Sequence, residues 1–318
     1  MKTSPKGILS VLALIGLLLS PSLALEGAKR GLLLWANVMV PALLPFMVCV
    51  GAVAALGGIP LIVKPFSPVL TGLLGLSPQG SFVLMSGLLC GYPMGAKLSG
   101  DFLKEGRIGL PEGRLLLAVS NHPSPMFLLG FVLPKISAFL PLPLLLLCLY
   151  LPLLPMITLA GYIYHVPKAR LSKSPRCSSL AESQKASFCP PDPGNAFSFD
   201  THLMSSLETM ERIGGYIMLF SILSLYLSSL PLPPRLLSFL LGITEITTGI
   251  EAISLRETGN FMALLILAGT AFGGISGLFQ TKSVLKNAGL SIRHYIFWKL
   301  LHCGLSSCLY ILLHPLVR

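Results

Sequence analysis

Three short clusters of polar and helix-breaking residues lie inside otherwise apolar runs, and they hold most of the chemistry this chain can offer. The first is Gly242-Ile243-Thr244-Glu245-Ile246-Thr247-Thr248-Gly249. A carboxylate among threonine hydroxyls, bounded by glycines, suits an unwound segment that coordinates Na+, exchanges a proton or accepts hydrogen bonds from a substrate. On an interfacial amphipathic helix the same Glu245 would simply face water. The second is Gly91-Tyr92-Pro93-Met94-Gly95-Ala96-Lys97. Pro93 breaks a helix and frees carbonyls, and the glycines admit close approach. Lys97 can bind an anion or snorkel to the interface, and alone it does the latter more often. The third is Ser120-Asn121-His122-Pro123-Ser124-Pro125, where Asn121 and Ser124 can donate and accept and two prolines leave carbonyls unpaired. A lone His122 is more often a structural donor than a ligand.

These clusters must be positioned by membrane helices. Of 318 residues, 53% are hydrophobic and 11% charged, whereas a soluble domain carries about 25% charged residues. Mean hydropathy is +0.79. That composition excludes a soluble enzyme, a disulfide scaffold and a disordered regulator. The net charge of +11 fits basic cytoplasmic loops better than nucleic acid. Cys49, Cys90, Cys148, Cys303 and Cys308 lie in apolar runs, and Cys177 and Cys189 have no metal-ligand spacing. No metal site or cofactor is expected, apart from a coupling Na+ or H+. No HExxH, GxSxG or P-loop is present, so an enzyme is not expected.

The fold expected is an all-α polytopic membrane protein of about eight transmembrane helices. Residues 1–25 read as a retained helix or signal anchor, with a cleaved signal peptide as the rival. Further spans fall at roughly 31–56, 80–97, 114–133, 138–164, 212–230, 260–280 and 295–313. Residues 60–76 and 231–255 are broken by Pro, Gly and charge and are candidates for re-entrant hairpins. Residues 165–207, rich in Ser, Pro and basic side chains, form a cytoplasmic linker between membrane units.

Sliding the chain by 182 residues superimposes Arg30 on Arg212, Gly87, Gly91 and Gly95 on Gly269, Gly273 and Gly277, and Ser124 on Ser306. Two internal repeats are therefore expected, 26–134 and 208–318, each with a broken or re-entrant segment, joined through a helix at 135–164. Each glycine triplet, spaced by four, would make one smooth packing groove and hinge with Pro93. Placing the basic stretches 97–114, 165–210 and 281–293 on the cytoplasmic side favours parallel repeats, provided 60–76 and 231–255 do not cross. If they cross, the repeats are inverted. Asn121, Ser124, Lys97, Tyr92 and Asn37 are the candidate substrate contacts, and Glu245, Thr247 and Thr248 the candidate ion or proton site.

Trp35 with Pro41-Ala42-Leu43-Leu44-Pro45-Phe46, Ser86-Gly87 with Gly91–Lys97, Ser120-Asn121, Gly214-Gly215, Phe220-Ser221 and Gly242 through Gly249 carry a resemblance to the nucleoside-recognition (Gate) domain membrane proteins. It covers nearly the whole chain outside 165–210, and the stretch ending in Gly95-Ala96-Lys97 is its most specific part. The resemblance implies a multi-pass protein of endospore-forming bacteria, distantly related to concentrative nucleoside transporters. It further implies export of dipicolinic acid across the outer forespore membrane, a planar dianion that Lys97 and the helix ends near Asn121 would suit. The His122-Pro123-Ser124-Pro125 run departs from the small Thr/Ser-Gly-Pro run expected there. Implied partners are a small-molecule substrate and the lipid bilayer, with a second copy or other sporulation membrane proteins as further candidates. A nucleoside transporter and a non-transporting assembly protein are the alternatives.

Overall fold

The computed structural model describes residues 5–166, 199–285 and 288–316, and among them every regular element is helical. The expected linker falls mainly on 167–198, outside the described residues. Among the described residues five helices are long and apolar enough to cross a bilayer: α2 (Pro21–Ala55), α8 (Phe199–Ser228, apolar from Leu203) and α13 (Ile292–Leu313) run unbroken, and α7 (Leu142–Ile163) has a turn at Leu151–Pro152. The fifth, Gly259–Val284, is interrupted at Gly273 into α11 (Gly259–Phe272) and α12 (Gly274–Val284). Large apolar side chains point outward, with Leu255 at 85% and Leu61 at 80% exposure, which lipid tolerates and water does not.

The remaining membrane-depth elements are short, so the eight uninterrupted spans expected from hydropathy are replaced by five plus half-length pieces. The first helix, α1 (Pro5–Leu19), ends at Ser20, ahead of the boundary expected near residue 25, because Pro21 starts a new helix. Helices α3 (Pro78–Cys90) and α4 (Met94–Lys104) fold back on one another, with Gly87 against Gly95. Helices α9 (Pro234–Thr244) and α10 (Ile246–Arg256) do the same: Gly249 packs on Gly242, and Ser238 Oγ donates to Glu257 at 2.7 Å across the open end. The hairpin expected within 231–255 is thus present. The other expected hairpin, 60–76, is instead a run of short turns (Ile59–Val63, Lys64–Phe66, Pro68–Leu73), and the first hairpin forms just after it.

Helix α5 (Leu110–Val119) runs to an extended stretch at Ser120–Ser124 before α6 (Pro125–Ile136) resumes. At 1.5 Å per residue, the 10 to 14 residues of α3, α4, α5, α9, α10 and α11 reach about 15–21 Å. That is roughly half to two-thirds of the ~30 Å hydrocarbon core, so no one of these pieces spans it alone.

Helices α2 and α8 pack antiparallel. Tyr226 Oη donates to the Gly16 and Ser20 carbonyls, Gly27 meets Ile222, Gly31 meets Met218, and Trp35 Nε1 donates to Met210 O at 2.9 Å. Gly214 leaves room for the Trp35 ring. On one face of the molecule, Gly113 meets Leu290, Gly100 meets Ala288, and Trp298 donates to Tyr164 Oη at 2.7 Å. The ends of α4, α7 and α12 therefore lie on the same face.

Candidate functional site

Each hairpin tip rests on the break of the helix that follows it. At the first tip, Gly91 has φ +84° and lies against Ser124 N and His122 O. Glycine is needed there twice, for its backbone angle and because a side chain would strike backbone. At the second tip, Glu245 is extended, and Gly274, with φ +70°, lies against Ile243 O, Ile246 N and the Glu245 Cα. The two assemblies then touch: the Tyr92 ring of the first tip faces Gly273, the φ +85° residue of the second break. Four interruptions meet at one place, and each brings helix ends whose backbone groups have no intrahelical partner.

The Glu245 carboxylate is 1% exposed and is held by its own loop. Its Oε2 accepts from Thr248 N at 2.8 Å, Thr247 Oγ1 at 2.5 Å and Thr248 Oγ1 at 2.9 Å. It is the N-cap of α10, where the helix dipole favours negative charge. The threonine hydroxyls donate to the carboxylate and keep lone pairs for a cation, so the group fits a proton or Na+ by donor chemistry. Thr248 also reaches Ser224 of α8 at 3.5 Å.

Asn121 joins the halves. Its Nδ2 donates to Thr281 Oγ1 on α12 at 3.1 Å and to Tyr295 Oη on α13 at 2.6 Å, while its Oδ1 accepts from Ala96 N at 3.4 Å. Its backbone carbonyl accepts from Lys299 Nζ on α13 at 3.3 Å. Lys299 is 1% exposed, and among the described residues no carboxylate lies within ion-pair distance of it. Its ammonium lies 5.7 Å from the centre of the Tyr92 ring. One turn further along α13, His302 holds its Nε2 2.8 Å from Leu149 O and meets the His122 ring edge-on at 4.6 Å. A buried ammonium without a counter-charge costs several kcal/mol.

The sequence-predicted residues divide. Tyr92, Asn121, Glu245, Thr247 and Thr248 come together with Gly91 and Gly273. Ser124 is beside them, but its hydroxyl caps α6 by accepting from Phe127 N at 3.2 Å. Lys97 is part-exposed and paired with Asp101 at 3.1 Å, away from the buried cluster, because it lies one turn beyond the α4 start and faces along its own helix. Asn37 is exposed, on the π-helical turn Trp35–Met39. The glycine triplets do not form single grooves, since Gly91 and Gly273 are the breaks themselves. Gly87 and Gly95 stand on opposite arms and together seat the Ser120 carbonyl. Gly269 meets only Gly242 at ordinary distance, and Gly277 has nothing within 4 Å. Lys299, His302 and Tyr295 were not singled out, for they sit in a run whose hydropathy reads as plain span, nor was Thr281, which falls in the basic stretch 281–293.

The chain resembles the sporulation integral membrane protein YlbJ of Bacillus subtilis (strain 168). Identity is 25%, covering 92% of this chain and 78% of that protein. No family model and no solved structure matches. Together with the apolar helices, the relationship makes this chain an integral membrane protein with a YlbJ-like sequence, consistent with a membrane role in sporulation.

Proposed function

We propose that the protein is a secondary transporter for a small polar, anionic metabolite during endospore formation, with dipicolinic acid across the outer forespore membrane as the first candidate. The observation that carries this reading is the meeting of two hairpin tips and two helix breaks around buried polar side chains, which is how carriers house a substrate. It is supported by the YlbJ relationship.

The repeats belong to this proposal in a revised register. The 182-residue offset sets a hairpin tip, Gly91, on a mid-span break, Gly273, and sets the Ser120–Ser124 break on continuous α13. Hairpin, broken helix and long helix instead start at Pro78, Leu110 and Leu142, and again at Pro234, Gly259 and Ile292, which are 156, 149 and 150 residues apart. Three crossings separate the hairpins: α5 with α6, α7, and α8. The hairpins then enter from opposite faces, and the repeats are inverted. With the basic face cytoplasmic, the first hairpin opens to the cytoplasm. Alternating access is a rocking of the two hairpin assemblies about the contact of Tyr92 with Gly273, and Glu245 with Thr247 and Thr248 holds the coupling proton or Na+.

The test is flux of labelled dipicolinate into proteoliposomes, with uridine as comparator. Saturable dipicolinate movement is expected. Uridine movement alone would keep a carrier and replace the substrate, and no flux of either from folded protein would sink the transport reading. Glu245→Gln keeps an oxygen to cap α10 but loses the charge, so insertion should be normal and flux abolished. Normal flux in that variant would remove Glu245 from coupling.

A further inference from the structure

The buried polar cluster beside the Glu245 loop has an excess of hydrogen-bond donors. Lys299 Nζ has three N–H groups and uses one, at 3.3 Å, on Asn121 O. The Tyr92 hydroxyl is buried and makes no hydrogen bond among the described residues, while the His122 ring has the Val119 backbone as its neighbour. The acceptors nearby are occupied: Asn121 Oδ1 takes Ala96 N, and Leu149 O takes the His302 ring. The only neighbouring carboxylate, that of Glu245, is already held by three donors of its own loop. Buried donors without acceptors are costly, and a carboxylate supplies the acceptors and the charge they lack.

We infer that Lys299 is the cationic ligand for a carboxylate of the transported solute, with Tyr92 Oη completing the binding. The site assigned to Lys97 by the sequence thus belongs to a lysine of the last helix. Three different elements surround it: the first hairpin tip gives Tyr92, the first break gives Asn121 and His122, and α13 gives Lys299 and His302. The inference rests on the transport reading and names the side chain that meets the solute's carboxylate.

Two measurements keep the two claims separable. Binding of pyridine-2,6-dicarboxylate to detergent-solubilised protein is read as a shift in Tm, with the uncharged pyridine-2,6-dicarboxamide as control. Flux of the labelled dicarboxylate is read in proteoliposomes. The intact protein should be stabilised by the dicarboxylate and not by the diamide. Lys299→Met, an apolar replacement of similar length, should fold and lose at least tenfold in affinity. Lys299→Arg should keep part of the binding, and Tyr92→Phe, which removes one hydroxyl, should weaken it a few-fold. Equal affinity of the Lys299→Met and intact proteins would overturn the inference while leaving transport standing. Equal stabilisation by the diamide would overturn it too. If no solute is moved but the dicarboxylate binds in a Lys299-dependent way, the site stands and the transport reading falls.

Discussion

At the residue scale, the glycines of this protein differ in what they do, and their neighbours say how. A Cβ on Gly95 would lie 2.2 Å from the Ser120 carbonyl, and one on Gly87 would lie 2.1 Å from it. Both contacts are with backbone, so relief requires moving the first break against the hairpin. Gly95→Ala should cost about 1–3 kcal/mol, the usual range for overpacking, and lower the Tm of the purified protein. Gly277→Ala provides the comparison, since nothing lies within 4 Å of its Cβ position, and its Tm should match that of the parent. Equal losses in both would mean that the arms are not held as tightly as their spacing says. The spacing of four was legible in the sequence. Its meaning was not, because Gly91 ends the helix on which the spacing would have made a groove.

At the element scale, the first hairpin is anchored at its open end by a carboxylate. Glu112, in the first turn of α5, accepts from Ser77 N at 2.8 Å, and Ser77 Oγ in turn caps α3 by accepting from Gly80 N at 2.9 Å. Gly80 leaves the space that the Glu112 carboxylate occupies. Glu112→Ala should therefore free the start of α3, costing about 1–3 kcal/mol for the donor left without a partner. Hydrogen exchange should rise in residues 77–90 and stay unchanged in α9 and α10. Rates rising equally in both hairpins would show that Glu112 acts on the whole molecule and not on this element. The interrupted character of 231–255 was readable from Pro, Gly and Glu245. The first hairpin was displaced in the reading from 78–104 to 60–76, because α3 is apolar enough to pass for the start of a span, and only its packing against α4 turns it back.

At the scale of the whole molecule, the antiparallel α2 and α8 and the shared face of the basic segments set the topology. Cysteines placed at Glu105 and Ser291, in a background free of the native ones, should react with a membrane-impermeant reagent from the same side. One at Leu232, between α8 and α9, should react from the other. Labelling of Leu232→Cys from the same side as the other two would break the three-crossing count and with it the inverted arrangement. Two of the basic stretches that charge groups together, 97–114 and 281–293, do lie against each other, Gly100 on Ala288 and Gly113 on Leu290, while residues 168–185 fall outside the described residues. Parallel repeats were favoured from charge and the count of crossings, with inverted repeats the outcome if 60–76 and 231–255 cross, and the labelling decides between the two.

Composition alone determines that this chain is a membrane protein, because too few charged residues exist to cover a water-facing surface. Proline, glycine and polar residues within apolar runs locate most of its breaks, since each has a fixed effect on backbone angles or hydrogen bonding wherever it occurs. The partners of those breaks are another matter. Asn121 is 160 residues from Thr281 and 178 from Lys299 in sequence, yet hydrogen-bonds to both. A lysine in an apolar run reads as a snorkelling end unless its depth and surroundings are known. Only the tertiary structure buries Lys299 beside Tyr92 and His122 and leaves Lys97 at the edge with Asp101, because burial is decided by what packs against a side chain and not by the residues on either side of it.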